Sequence, residues 1–298
     1  MTSTIISSSL QPHLHRTIAF TTPNNYSSRL SHLISLRNPH WTPLWCPTVL
    51  VHTTPLTRSS LSLFLCPPSD ALSLQHFSAI AFTSRTGITA FAETLLSLNL
   101  HDPPLPQDGD VFTLSALGSD SELLNPNLIS KLCHNPNRIR ILVPETSTPS
   151  GLVESLGPGL GRRVLCPVPE VKGLTEPPVV PNFIRELGLK GWVAVRVPAY
   201  ETRWVGPGCA GPVLERREGE RLDAIVFTSS TEVEGLLKSL RELGLDWAGF
   251  RRMWPDLVVA AHGPVTAKGA ERLGVSVDLV SERFSSFDGV VEALAKAL

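Results

Sequence analysis

Short apolar runs bounded by Ser, Thr and Gly alternate along this chain with longer stretches in which Leu, Val and Ala recur every three or four positions. The runs at 17–21, 78–83, 111–116, 138–143, 163–166, 192–198, 222–228, 257–261 and 276–279 predict strands. Helical spacing predicts helices over 26–36, from Thr86 or Gly87 to Leu98, over 119–124, 182–187, 232–243, 266–273 and 287–298. Residues 41–52 read as extended, and 53–70 fits a loop or a short edge helix. The prolines after Cys166 predict a loop. Buried strands alternating with helices predict an α/β fold with parallel sheets flanked by helices.

The pattern repeats. Ala79-Ile-Ala-Phe-Thr-Ser84 returns as Ala224-Ile-Val-Phe-Thr-Ser229, and Gly118 and Gly263 stand at equal distances beyond the two serines. A later echo matches Gly151-Leu-Val-Glu-Ser-Leu156 with Gly289-Val-Val-Glu-Ala-Leu294. Three elements in one order imply two copies of one α/β unit. The strand–turn–helix ahead of Ala79 finds its partner in 161–198, so the chain is expected to start in one lobe, build the other and return. The expected division is a leader or disordered N-terminus over 1–16, lobe 1 from 17–46 plus 202–298, and lobe 2 from 47–201. Crossings near 44–54 and 197–205 would form a two-stranded linker, and two such lobes are expected to frame a ligand cleft.

Bulk composition narrows the classes without choosing among them. With 298 residues, 42% hydrophobic and 18% charged, the chain can bury a core in each half. A net charge of −1 gives no reason to expect nucleic acid, and no apolar run reaches the length of a membrane span. No pattern demands a dimer, and a monomer is expected. Cys46, Cys66, Cys133, Cys166 and Cys209 form no C-x-x-C pair and read as reduced thiols. Before Asp70 the chain has no acid, but it carries Arg16, Arg29, Arg37 and Arg58 among many Ser and Thr. That bias suits a plastid transit peptide, although a strand starting at Thr17 leaves room for only a short leader. Plastid and cytoplasm both stay open.

Chemistry concentrates at the ends of the repeated strands. Thr83, Ser84 and Arg85 in one copy, and Thr228, Ser229 and Ser230 in the other, lie between a strand end and a helix start. Gly118-Ser119 and Gly263-Pro264-Val265-Thr266 repeat the arrangement one strand over. Unpaired backbone N–H groups and the helix dipole make such turns seats for carboxylate or phosphate, although Ser and Thr there also serve simply as helix caps. The glycines at 157–161 and 206–208 lack phosphate-loop spacing and read as turns. The histidines show no metal-ligand spacing, so no metal is expected. His262, beside Gly263, fits a packed imidazole better than a functional one. Tyr200, in the return linker, offers a phenol able to donate a proton.

Taken together, the Phe-Thr-Ser turns, Tyr200-Glu-Thr202, Gly263-Pro-Val-Thr-Ala267 and the terminal Phe287-Asp-Gly-Val-Val-Glu-Ala-Leu294 resemble the uroporphyrinogen-III synthase family. The resemblance runs from about Arg16 to Leu298 and is strongest after Val195. It implies a cofactor-free enzyme with two α/β lobes. Such an enzyme closes the linear tetrapyrrole hydroxymethylbilane into uroporphyrinogen III, with inversion of the last ring and loss of water, in haem and chlorophyll biosynthesis. Tyr200 aligns with the family's linker tyrosine, a proposed acid for the leaving hydroxyl. A phenol with the usual pKa of about 10 keeps its proton at neutral pH. Thr228, Ser229 and Thr266 align with cleft positions of one lobe, and Thr83, Ser84 and Arg85 with those of the other. Ser230, Gly263 and Pro264 complete the expected substrate contacts.

Three departures from the family stand out. Thr21-Thr22-Pro23 replaces a usual Thr-Arg-Pro, a common glycine is missing from Cys166-Pro-Val-Pro-Glu170, and Gly118-Ser-Asp-Ser-Glu122 puts acids where an anionic substrate would approach. An inactive paralogue that binds a tetrapyrrole or regulates is therefore the alternative. A periplasmic-type solute binder is a third reading, disfavoured by the missing secretory leader.

Overall fold

A computed structural model describes residues 15–215 and 221–298. Most of the expected leader, residues 1–14, lies outside the described residues. In chain order the elements begin with β1 (Arg16–Phe20), α1 (Asn24–Arg37), β2 (Trp41–Trp45), β3 (Val49–His52), α2 (Pro55–Leu65), β4 (Ala79–Ala81), α3 (Arg85–Ser97), β5 (Phe112–Ser115), α4 (Pro126–Leu132), β6 (Ile139–Leu142) and α5 (Pro149–Leu156). There follow β7 (Arg163–Lys172), α6 (Val179–Leu189), β8 (Val193–Trp204), α7 (Gly211–Leu214), β9 (Ala224–Phe227), α8 (Ser230–Glu242), α9 (Trp247–Met253), β10 (Val258–Ala261), α10 (Pro264–Arg272), β11 (Leu279–Val280) and α11 (Asp288–Ala297). None of the described helices is long and apolar enough to cross a membrane.

The chain divides into two compact units. Unit 1 comprises residues 15–47 and 207–298 apart from the undescribed 216–220, and unit 2 is Thr48–Gly206. The sheet of unit 1 runs β11-β10-β9-β1-β2, and its strand pairs are parallel. The sheet of unit 2 runs β3-β8-β7-β4-β5-β6, parallel except where β3 meets β8. Once β3 is set aside, the two orders superimpose: β6-β5-β4-β7-β8 in unit 2 against β11-β10-β9-β1-β2 in unit 1. β7-α6-β8 thus takes the place of β1-α1-β2, the pairing expected from 161–198. Unit 1 holds that strand–helix–strand at its start, unit 2 at its end, so one unit is a circular permutation of the other.

Burial explains why these segments form these elements. β9 and β4 are buried at every residue, as a central parallel strand covered on both faces must be. Along α8, Val233, Leu236 and Leu240 are buried on one stripe facing the sheet. The repeated glycine of α5 and α11 has a steric cause. A Cβ on Gly151 would run into the carbonyl oxygen of Thr146, and one on Gly289 into that of Arg283. Behind each glycine the apolar residues of the echo are buried in step, Leu152, Val153 and Leu156 against Val290, Val291 and Leu294.

Of the loop or short edge helix expected over 53–70, a helix is observed: α2 runs for eleven residues, started by a capping box between Thr54 and Thr57 with Pro55 in its first turn. Other sequence expectations need correction. The proline-rich stretch after Cys166 continues β7 to Lys172. β7 pairs with β4 only as far as Leu165, and beyond it bonds to β8 with a register shift between Val168 and Pro169. Prolines survive in a strand where one side of the ladder is open. The return linker is the second half of the twelve-residue β8, in which Thr202, Arg203 and Trp204 pair with Val51, Leu50 and Val49 of β3. Residues 202–206 accordingly group with unit 2, and the two chain crossings lie side by side, with Val205 N–H donating to Thr48 O at 3.1 Å. All five cysteines are free, and Cys66 alone among them is exposed.

Gly151→Ala and Gly289→Ala are each expected to lower stability by about 1–3 kcal/mol through overpacking. Gly188→Ala, in exposed space on α6, should be neutral or slightly stabilising. Urea denaturation of the three variants checks both halves of the prediction.

Candidate active site

In unit 2, β4 ends at Ala81 and α3 begins at Arg85, so Phe82, Thr83 and Ser84 form the turn. Ser84 caps α3, its Oγ accepting the Gly87 N–H at 3.1 Å. The same oxygen lies 2.9 Å from the phenol oxygen of Tyr200, and either can donate. Tyr200 sits on β8 opposite Pro169 of β7, with its ring in the unit 2 core and only 7% of the residue exposed. The strand holds this phenol firmly. Its tip meets the half-buried Thr83–Thr86 turn at Ser84.

Arg85 and Asp120 lie 3.7 Å apart across the neighbouring turn Gly118–Leu123. The acids there were expected to repel an anionic substrate. Asp120 instead meets a guanidinium, which weakens that repulsion and occupies part of Arg85's charge. Ser119 and Glu122 are exposed.

In unit 1 the equivalent turn is Thr228–Ser229, and Ser229 caps α8. Three residues on stands Glu232, buried to 1% exposure. Its carboxyl meets Thr228 N at 2.9 Å, Thr228 Oγ1 at 2.5 Å, Thr21 Oγ1 at 2.7 Å and Ser229 Oγ at 3.2 Å. Burial raises its pKa above the usual carboxylate range, while the hydrogen bonds from Thr228, Thr21 and Ser229 pull the other way. Thr266, buried on α10, donates to Thr228 O at 3.0 Å and ties the next helix to this turn. Ser230 is half-buried and backs onto Gly269 of α10, where a Cβ would collide with it. Gly263 caps α10 with extended backbone and no side-chain hydrogen bond, while Pro264 is exposed in the first turn.

His262 follows β10 and packs edge-on against Phe287, ring centroids 4.9 Å apart. Tyr26 and the Arg29 guanidinium contact the same phenyl ring. Burial, and then the charge of Arg29, lower the imidazole pKa to about 4, so it is neutral at pH 7. Its Nδ1 has no hydrogen-bond partner among the described residues. The packed imidazole is what is observed. Among the described residues no group of His, Cys, Asp and Glu could hold a metal ion.

The expected residues therefore fall into two sets within the two units. Tyr200, Thr83, Ser84 and Arg85 gather at one strand end of unit 2, and Thr228, Ser229, Ser230, Gly263, Pro264 and Thr266 at two adjoining strand ends of unit 1. The sequence reading missed Thr21 and Glu232. A signal for Glu232 exists in the spacing Ser229-x-x-Glu232, which is that of a capping box. Here the acid reaches Thr228 N–H, one residue beyond the cap.

A family model described as "Uroporphyrinogen-III synthase HemD" matches residues 41–290. The chain belongs to the uroporphyrinogen-III synthase family. Its fold is that of the Thermus thermophilus uroporphyrinogen III synthase mutant crystal structure, at 18% identity and TM-score 0.55 over 94% of this chain and 99% of that one. The Helicobacter pylori uroporphyrinogen-III synthetase covers 95% of this chain and 100% of its own, at 13% identity and TM-score 0.48. A stretch of 78 residues is 36% identical to a Methanothermobacter thermautotrophicus protein assigned by name to uroporphyrinogen-III synthase. That match spans 26% of this chain and 28% of the relative.

Unfolded histidine binds a proton below about pH 6.5, whereas folded His262 resists one until about pH 4. The unfolded state thus takes up more protons in that window, and His262 removes stability as pH falls from 6.5 to 4. Urea denaturation at pH 7, 5.5 and 4.5 should show a shallower loss for His262→Gln than for the parent protein.

Proposed function

We propose that this protein cyclises hydroxymethylbilane to uroporphyrinogen III, with Tyr200 as the acid that releases the terminal hydroxyl. The observation that carries the reading is the 2.9 Å contact between Tyr200 and Ser84 at a strand end, in a chain of this family. The phenol gives its proton to the departing hydroxyl, which leaves as water. The electron pair of the first pyrrole's nitrogen, on the ring that carries the hydroxymethyl group at the other end of the chain, expels it and leaves an azafulvene there. The substituted carbon of the terminal ring attacks this electrophile, and the spiro intermediate opens and recloses with that ring inverted. The proton finally lost from carbon returns to the phenolate. Atoms balance as substrate minus one water, with no external oxidant or reductant.

Ser84 supports this role by holding the phenol through a hydroxyl that is itself fixed by the Gly87 N–H. General acid catalysis of this kind contributes roughly 10²–10⁴-fold. The rest of the acceleration comes from holding a flexible chain folded with its reacting carbons close. The pairing of Asp120 with Arg85 weakens the main argument for an inactive paralogue, which rested on uncompensated acid in that turn.

Supplying hydroxymethylbilane to the purified protein and separating the oxidised porphyrins tests the reaction. Isomer III should exceed the spontaneously formed isomer I, and isomer I alone would overturn the proposal. Tyr200→Phe should lower kcat about 10²-fold or more while the fold melts as before. An undiminished rate would reject the phenol's role.

A further inference from the structure

The two copies differ at one position that governs what their turn hydroxyls can offer. Three residues after each capping serine stand Gly87 in unit 2 and Glu232 in unit 1. At Gly87 a Cβ would lie 3.2 Å from Pro167 O and 3.3 Å from Ser84 Oγ, so no long side chain fits under that turn. Ser84 is consequently left to engage Tyr200. At Glu232 a carboxyl fills the equivalent space and gathers the donors of its turn.

Each hydroxyl has one proton to give. Thr228 Oγ1 and Ser229 Oγ both approach Oε1 of Glu232, at 2.5 and 3.2 Å. Thr21 Oγ1 approaches Oε2 at 2.7 Å and Val226 O at 3.2 Å. With Glu232 ionised, Thr21 donates to Oε2. With Glu232 protonated on Oε2, the acid donates to Thr21 and Thr21 donates to Val226 O. Oε2 is the place for that proton because Thr21, alone of the three hydroxyls, has a second acceptor among the described residues, Val226 O. Oε1 then only accepts, and the Thr228 and Ser229 protons point inward. The Thr228 amide, the donor an external anion would want, is bound to Oε2 as well. What the half-buried face of Thr228 and Ser229 keeps is hydroxyl lone pairs.

We propose that Glu232 is a positioning residue that occupies the anion seat of the unit 1 turn from inside, so that Thr228 and Ser229 present acceptors, selecting substrate N–H groups and excluding carboxylates. This rests on the functional reading above, in which the substrate carries pyrrole N–H groups. It reverses the expectation that these two hydroxyls bind substrate carboxylates. The matching turn of unit 2, with glycine in that position, has no such internal acid.

The test uses formate as a stand-in for the carboxyl and needs no turnover. Formate should leave the Thr228, Ser229 and Glu232 amide NMR signals of the parent protein unshifted. Those of Thr228 and Ser229 should shift saturably in Glu232→Ala, whose melting temperature formate raises and chloride at equal ionic strength does not. In the assay, Glu232→Ala should raise KM about tenfold with a smaller change in kcat, and formate should restore it. A saturable formate shift at these amides in the parent protein overturns the proposal, as does a Glu232→Ala variant that folds and shows no saturable formate shift. If Glu232→Ala fails to fold, the parent titration still decides. A protein that made no isomer III would refute the functional reading while the formate titration still judged Glu232.

Discussion

Helices that start at the carboxyl ends of parallel strands leave backbone N–H groups without partners within the helix, and something must accept from them. Each sheet of this protein concentrates that demand along one edge. At β4–α3 the acceptor is Ser84, which also holds the Tyr200 phenol. At β9–α8 it is Ser229 together with a buried glutamate. At the start of α10 the cap is Gly263, which makes no side-chain cap hydrogen bond. In the proposed reaction, how each turn meets this demand leaves the Ser84 turn holding a proton donor and the Thr228–Ser229 turn presenting acceptors.

The permuted relation of the units gives this difference a structural origin. Both sheets share one strand order, so the repeated turns occupy equivalent places. In unit 2 the strand equivalent to β2 is β8, which runs on beyond the length of β2 to pair with β3 and carries Tyr200. β2 has no such extension, since the chain leaves unit 1 two residues after it ends, at Pro47. A phenol beside the capping serine is thus a product of the chain crossing, and a carboxyl fills the matching turn of unit 1.

Much of this was legible in the residues. The strands at 79–81 and 224–227 are continuous apolar runs, and α8 carries its leucines on one face, so the period identified both. The echo that runs through Gly151 and Gly289 marked a real steric contact. α2 was legible only as one of two readings, because exposed Leu56 and Leu63 blur a face on which only Thr57, Leu61, Phe64 and Leu65 are buried. β7 was cut short because prolines read as breakers, which they are not where the ladder is open on one side. The site residues could be named from their turns, but the direction of their hydrogen bonds could not. That direction depends on Thr21, over two hundred positions from Glu232 in sequence and brought beside it by the pairing of β1 with β9.

In the proposed reaction Ser84 and Tyr200 act as one proton-donating unit. A double-mutant cycle on single-turnover rates of hydroxymethylbilane closure tests it most directly, using Ser84→Ala, Tyr200→Phe and the pair together. The double variant should be no slower than Tyr200→Phe alone, because without the phenol Ser84 has nothing left to orient. Losses that multiply, each variant slowing the reaction by the same factor whether or not the other is present, would contradict it.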